Sequence, residues 1–425
     1  MTETATWPLA NWAGNVRFRA ERLHRPASVP ALQRLVARAR RVRAIGTGHS
    51  FSPVADTNGD LISLAGLPAA VTLDARAATA TVSAGLTCGE VARRLHADGY
   101  ALRNLASLPH IGIAGACATG THGSGTALGN LATAVAGLTM VTADGDLVTL
   151  RRDADRERFP GAVVALGSLG IVTSLILDVV PAYAMRQHVY EGLPLDAACQ
   201  HLDAILGAAH SVSLFTDWRG PWFTQVWRKE LVTGPDQEPA EPRWHGARLA
   251  TGQRHPIAGL PAASTTEQLG IPGPWHERLP HFRPEATPSA GRELQSEYLL
   301  PRAVGPAALR AVCDVRHLIA PVLQVCEVRS VAADELWLSP SYPRDTPAIH
   351  FTWTDDLAAG SSAIAAAERQ LAPLGARPHW GKLFCLGPDA VRPSYRRLPD
   401  FGQLMRQYDP AGKFGNEFAD TYLAS

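Results

Sequence analysis

Apolar and polar positions change period several times along this chain, and each change predicts an element. Leu32, Leu35, Val36 and Ala39 recur at helical spacing, with Ser28 as N-cap and Pro30 in the first turn. The stretch NVRFRAERLHRP (15–26) alternates and predicts a strand, and RVRAIG (41–46) predicts a short one. Strand, helix, strand is the order of a βαβ unit. A second helix is predicted over 89–97. Asp144-Gly145 between two apolar runs signals a hairpin, and LGIVTSLILDVV (169–180) predicts a continuous apolar strand ending at Pro181.

After Pro181 the texture changes. Residues 216–290 are rich in Pro, Gly and Trp (Trp218, Trp222, Trp227, Trp244, Trp275) and weak in period, which predicts long packed loops of a second lobe. Strands resume near 293–300, 324–331 and 348–354, and 408–418 reads as a glycine-rich loop. A chain of 425 residues exceeds one compact core, so two lobes sharing a site are expected.

Composition narrows the ligand. Lys plus Arg is 40 and Asp plus Glu is 39, which leaves no field for nucleic acid or an acidic membrane; a neutral small molecule fits better. Cys88, Cys117, Cys199, Cys313, Cys326 and Cys385 form no CxxC pair and read as small buried hydrophobes, all six. The start, MTETATWPLANWAGN, has neither a basic region nor an apolar core of a secretory signal, and no apolar run is long enough to span a bilayer. A soluble cytoplasmic monomer is expected. No metal-ligand spacing is present.

The chemistry concentrates in two glycine-rich loops, IGTGHSFS (45–52) and GIAGACATGTHGSG (112–125). The first lacks the third glycine of the Rossmann fingerprint, and there is no P-loop, HExxH or Gly-x-Ser-x-Gly. Small residues let backbone N–H groups approach a pyrophosphate. Two such loops suggest a large ligand with a pyrophosphate and a ring. His49, at a loop tip without bulky neighbours, is placed to meet a ligand edge, and a neutral imidazole is nucleophilic enough to attack an electrophilic methyl on a flavin ring.

Strand alternation adds a polar wall. In VCEVRSV (325–331), Glu327 and Arg329 share a face, with Cys326, Val328 and Ser330 on the other. In AIHFTWT (348–354), His350 and Thr352 share a face opposite Ile349, Phe351 and Trp353. If HWGKLF (379–384) is extended, Trp380, Lys382 and Phe384 align. Such groups suit a hydroxylated ligand.

These segments, with NWAGN (11–15), NLASLPHIGIAGACATGTHGSG (104–125), PGPWHERLPHF (272–282), ELQSEYL (293–299) and DPAGKF (409–414), resemble the vanillyl-alcohol-oxidase-type FAD-linked oxidases, and within them the alditol (xylitol) oxidase group. The resemblance implies an α+β fold: an FAD-binding domain (1–182), a substrate or cap domain with an antiparallel sheet (183–378), and a C-terminal segment returning to the site (379–425). It implies FAD joined by an 8α-histidyl bond at His49. Cofactor contacts are expected from Ala44, Ile45, Gly46, Thr47, Gly48, Ser50, Ser107, Gly112, Gly115, Thr119, Gly120, Thr121, His122 and Ile171, with Asn416 as a further one. Substrate contacts are implied at Ser107, Glu327, Arg329, Thr352 and Lys382, with Asp217, Trp218 and the 272–282 loop as scaffold.

The expected reaction takes the terminal hydroxyl of an alditol such as xylitol or sorbitol to the aldose, with O₂ reduced to H₂O₂. His350 is the candidate base, and Arg329 and Lys382 stabilise developing charge. Ala106 sits where a side chain would limit oxygen access. The alternatives are an aldonolactone oxidase or dehydrogenase of the same flavoprotein type, and a sugar-binding protein without cofactor.

Overall fold

The structure is a computed structural model that describes residues 10–234, 239–286 and 293–423. Residues 1–9, which open the stretch read for a secretory signal, lie outside the described residues, as do 424–425 and parts of the tryptophan-rich stretch.

The first lobe starts as predicted. Ser28 caps helix α1 (Val29–Arg38), its hydroxyl accepting from the Ala31 amide at 3.4 Å, and Leu32 and Val36 are buried. Strands β1 (Arg22–His24) and β2 (Val42–Ile45) flank the parallel β3 (Asp60–Ser63), so the βαβ unit skips one strand position. The strand expected over 15–26 is only three residues long. Its partner begins at Asp60, and the Glu21 amide already turns to the Gly59 carbonyl, so no ladder exists further back.

Five antiparallel strands follow: β4 (Val71–Asp74), β5 (Thr79–Ser83), β6 (Val135–Val141), β7 (Leu147–Arg151) and β8 (Ile171–Asp178), in the order β4–β5–β8–β6–β7. The Asp144-Gly145 hairpin joins β6 to β7, with Gly145 at φ +87°. Helix α2 (Cys88–Ala97) opens with a capping box between Thr87 and Glu90. Short α3 (Ile113–Ala118) follows the second glycine loop.

The second lobe is a large sheet whose central strands are β9 (Ala184–Pro194), β10 (Ser211–Thr216), β11 (Trp222–Leu231), β12 (Leu294–Leu299), β13 (Leu323–Val331) and β14 (Thr346–Trp353). Their order is β9–β11–β10–β13–β14–β12, every pair antiparallel. The loops expected over 216–290 thus contain a full ten-residue strand, β11. Its alternation was hidden because the buried face carries a glutamine and a lysine beside Phe223 and Trp227, while the more exposed face carries Trp222 and Val226. Helices α4 (Gly305–Asp314) and α5 (Leu357–Leu371) cover one face, against Cys326, Val328, Ile349, Phe351 and Trp353. The other face meets the first lobe.

The chain end returns to the first lobe. Helices α6 (Leu398–Tyr408) and α7 (Glu417–Tyr422) pack Phe401 and Phe418 into its core, and Lys413 Nζ donates to the carbonyls of Val36 (2.9 Å) and Ala143 (2.6 Å). All six cysteines are free; five are buried as expected, but Cys385 is exposed, because the loop that carries it leaves the core. No described helix is long and apolar enough to cross a membrane.

Arg43, on β2, joins these parts. Its buried guanidinium donates to the carbonyls of Phe414 (2.7 Å), Leu166 (2.6 Å) and Val54. Burial lowers its pKa to about 10, which leaves it charged at neutral pH. Arg43→Met strands these buried acceptors at about 1–3 kcal/mol each. We expect a loss of about 3 kcal/mol or more, read as a lower denaturant midpoint; an unchanged midpoint would remove Arg43 as the tie.

Candidate active site

A cavity of about 420 Å³ runs from the two glycine loops to the open face of the large sheet. Its first half is backbone. Beyond β2, the amides of Thr47, Gly48, His49 and Ser50 find no acceptor among the described residues. The second loop closes on the first, with the Gly112 amide donating to Thr47 Oγ1 at 3.2 Å. A Cβ at Gly46 or Gly115 would meet nothing within 4 Å, so their missing side chains leave the cavity open. Converging free amides bind anionic oxygens, and the cavity continues past them into an apolar slot along Ala114, Val163, Leu166 and Val172. An elongated group with a pyrophosphate and a flat ring fits this space.

His49 stands half-buried where the backbone half opens toward the sheet. The indole of Trp12 stacks on it at 5.4 Å and 15°, and its Nδ1 lies 2.9 Å from Thr47 Oγ1. The NWAGN loop holds the backbone beneath it: the Trp12 amide donates to the Gly48 carbonyl (2.8 Å), Asn11 Nδ2 to that of Ser50 (2.8 Å) and Asn15 Nδ2 to that of Phe51 (2.8 Å). Burial, then the neighbouring His110, lowers the imidazole to about 4, so it is uncharged at neutral pH.

The second half is built by strand register. Glu297 on β12, His350 on β14 and Glu327 on β13 are directly opposite one another, and Gln295, Thr352 and Val325 form the next row. Glu297 is the centre of charge. Its carboxylate receives Lys382 Nζ at 2.7 Å and Arg329 Nη2 at 2.8 Å, with His122 Nε2 at 3.2 Å. Burial by itself would raise its pKa, but Lys382, His122 and Arg329 outweigh it and hold it well below the usual carboxylate range. Arg329 also donates to Ser107 Oγ (3.2 Å) and the His122 carbonyl (3.3 Å). His350 Nδ1 meets Lys382 Nζ at 2.6 Å, and its Nε2 meets Thr352 Oγ1 at 3.0 Å. Burial, then Lys382, holds His350 well below its ordinary value, and burial lowers Lys382 as well.

The cavity gathers Ser107, Glu327, Arg329, His350, Thr352 and Lys382, together with Ala106. It also collects Ala44, Ile45, Gly46, Thr47, Gly48, His49, Ser50, Gly112, Gly115, Thr119, Thr121 and His122. Three of the expected cofactor residues do not line the cavity. Gly120 turns away toward Pro340, and Ile171 packs into the core while Gly170 and Val172 border the cavity. Asn416 does not border it either: its amide donates to the carbonyls of Val54 (3.1 Å) and Asp56 (2.8 Å) and its oxygen caps α7. The 379–384 stretch is a turn, not a strand, since the Lys382 amide returns to the His379 carbonyl at 3.0 Å; Trp380 therefore enters the core, and of Trp380, Lys382 and Phe384 only Lys382 lines the cavity.

Sequence reasoning missed Glu297, His281 and His379. Glu297 had a signal, because Glu293, Gln295 and Glu297 alternate with Leu294, Ser296 and Tyr298. His281 had none. It comes from the 272–282 loop read as scaffold, and its Nε2 reaches Glu327 Oε1 at 2.7 Å. His379, lowered to about 3 by burial, sits at the tight turn before Lys382.

Comparison with known proteins agrees with this geometry. Residues 20–151 match the FAD binding domain family and residues 287–422 the D-arabinono-1,4-lactone oxidase family. The chain is 50% identical to an alditol oxidase of a Streptomyces species, over 98% of this chain and 99% of that protein. It is 28% identical to an L-gulono-1,4-lactone dehydrogenase of Mycobacterium tuberculosis, covering 97% and 98%. Among solved structures, a cholesterol oxidase from B. sterolicum superposes with a TM-score of 0.76 at 15% identity, covering 97% of this chain and 96% of that one. A chitooligosaccharide oxidase gives 0.74 at 13%, covering 98% and 94%.

Because Glu297 is ionised in the fold at a pKa below its unfolded value, its contribution is present above about pH 4.3 and is lost as pH falls through the folded value. Glu297→Gln leaves two buried cations facing an amide. We expect it to cost about 3 kcal/mol at neutral pH and to flatten the acid limb of the stability curve; an unchanged limb would show that the carboxylate does not hold the cluster.

Proposed function

We propose, from the premise that this chain belongs to the FAD-dependent oxidases of the alditol oxidase family, that its cavity oxidises the terminal hydroxyl of an alditol to the aldose. The observation that carries the substrate class is the row of charged and hydroxyl groups opposite the glycine cradle, backed by Arg329 and Lys382. Vicinal hydroxyls find acceptors at Glu327 and donors at Arg329, Ser107 and Thr352, and an analogue without them leaves buried polar groups unpaired.

FAD, when bound, would supply the acceptor for the hydride and the two electrons it carries, with O₂ as the final acceptor, giving H₂O₂. The cofactor half is assigned to 1–182, the substrate half to 183–378 and the returning segment to 379–425. Support for the last division is the packing of α6 and α7 against the first lobe. Thr47 to Ser50, with Gly112, Gly115, Thr119 and Thr121, would cradle the pyrophosphate. His49, uncharged and stacked on Trp12, would hold the flavin covalently through an 8α-histidyl bond. Six free cysteines fit a reducing, cytoplasmic setting, and we read the enzyme as a monomer.

The hydroxyl proton goes to the His350–Lys382 pair. In the high-pH form that turns over, Lys382 has given up its proton, and His350 carries its own on Nδ1 and leaves Nε2 open. Nε2 takes the substrate proton as the hydroxyl displaces Thr352. The surplus proton crosses the 2.6 Å contact to Lys382, whose ammonium then faces Glu297. Arg329 stays charged throughout and stabilises the negative charge developing beside it. Ala106, small and 4% exposed, leaves oxygen a path.

Xylitol and sorbitol should give H₂O₂ in a peroxidase-coupled assay at a kcat/KM at least tenfold above L-gulono-1,4-lactone, a margin of about 1.4 kcal/mol. A lactone preference would replace this reading with the second one, which the match of residues 287–422 favours. The yellow chromophore should stay with the protein after acid precipitation, and His49→Ala should release it. Since only the deprotonated pair accepts a proton, turnover should rise with pH and level off. His350→Asn should remove that limb and cost about 10²-fold in kcat; a retained limb would place the base elsewhere.

A further inference from the structure

Behind Glu327 lies a buried lysine that this reaction does not use; burial pushes its pKa well below the ordinary value, and the three acceptors around its Nζ are what favour the ammonium form. Lys229, on β11, is 1% exposed and has no carboxylate within ion-pair distance among the described residues. Its ammonium meets the carbonyls of Leu279 (2.6 Å) and Pro280 (2.9 Å) and the Nδ1 of His281 (3.1 Å). Three hydrogens thus have three acceptors. With Nδ1 accepting, the ring proton of His281 sits on Nε2, which donates to Glu327 Oε1 at 2.7 Å. His281 is fixed from other sides too. Its amide donates to the Ser107 carbonyl at 3.0 Å, and its ring stands edge-on to Trp227 (5.2 Å, 76°) and Phe215 (5.5 Å, 69°).

The direction of donation is therefore set, from lysine to histidine to carboxylate. Glu327 Oε2 has no protein partner among the described residues and faces the cavity. Burying an ammonium without a counter-ion is costly, and a methionine would fill the same space without that cost. The contrast with the second lysine–histidine contact is instructive. Lys382 has two partners, Glu297 and His350, and a site for a further proton, whereas every hydrogen of Lys229 is committed.

We propose that Lys229 is a positioning residue for substrate recognition: through the His281 tautomer it holds the Glu327 carboxylate so that Oε2 accepts a polyol hydroxyl. The inference rests on the reading of Glu327 as a hydroxyl acceptor. Lys229→Met lets the His281 ring turn or change tautomer, so Glu327 loses its fixed orientation. The chemistry at the other hydroxyl, which depends on His350 and Lys382, is left in place. The burden falls on KM.

The test uses the full-length flavin-loaded enzyme with xylitol. Lys229→Met should raise KM at least tenfold with kcat within threefold of wild type. On a Glu327→Gln background the same change should alter KM less than twofold, because the carboxylate it positions is already gone. His281→Gln, whose amide can both accept from Lys229 and donate to Glu327, should stay within threefold in KM, while His281→Leu should match Lys229→Met. If Lys229→Met does not fold, the two His281 variants decide. A wild-type KM in Lys229→Met or His281→Leu, or an equal loss with and without Glu327, would overturn the relay. Wild-type enzyme silent on xylitol would overturn the substrate reading and the relay with it; wild-type turnover with an unaffected Lys229→Met would overturn the relay alone.

Discussion

One buried carboxylate governs the geometry of the cavity. Glu297 is 1% exposed, and it draws Lys382 from the C-terminal turn, Arg329 from β13 and His122 from the second glycine loop to one point. A lone buried carboxylate would take up a proton or be driven out. With Lys382 and Arg329 donating to it and His122 beside it, it stays ionised, and both donors are fixed by the need to satisfy it. The wall opposite the cradle is thus held by charge compensation, while the aliphatic and aromatic side chains on the far side of the same strands pack against helices.

That division follows from the pleat. Cys326, Val328, Ile349, Phe351 and Trp353 point into the helix-covered core, and Glu327, Arg329, His350 and Thr352 point the other way. The same two strands therefore serve as hydrophobic core and as polar wall, and register decides which polar groups meet. A slip of one residue would exchange the two faces. The large sheet is rigid for this purpose because both faces are covered, and the groups it carries need little reorganisation when a polyol enters.

The first lobe contributes in another way. It offers backbone amides and the absence of side chains, held open by the NWAGN loop on one side and by the return of the chain end on the other. Residues far apart in the chain, such as Asn11 and Ser50 or Arg43 and Phe414, are bonded to keep that opening in place.

Much of this was legible without coordinates. Period-two alternation identified the faces of β13 and β14, the glycine spacing marked both cradle loops, and Ser28 and Gly145 sit at the cap and turn their chemistry favours. These are local properties, fixed by a residue and its near neighbours. What stayed hidden was non-local or aperiodic. The length of β1 depended on where β3 begins. Trp380 and Lys382 parted because a turn replaced a strand. His281 and Lys229 met only when a loop without period folded over β11, and Glu297 became central only when three distant segments closed on it. Sequence determines which side chains share a face, because the backbone repeats over short range; only tertiary structure decides which faces meet, because burial of charge is satisfied by partners that lie far apart in the chain.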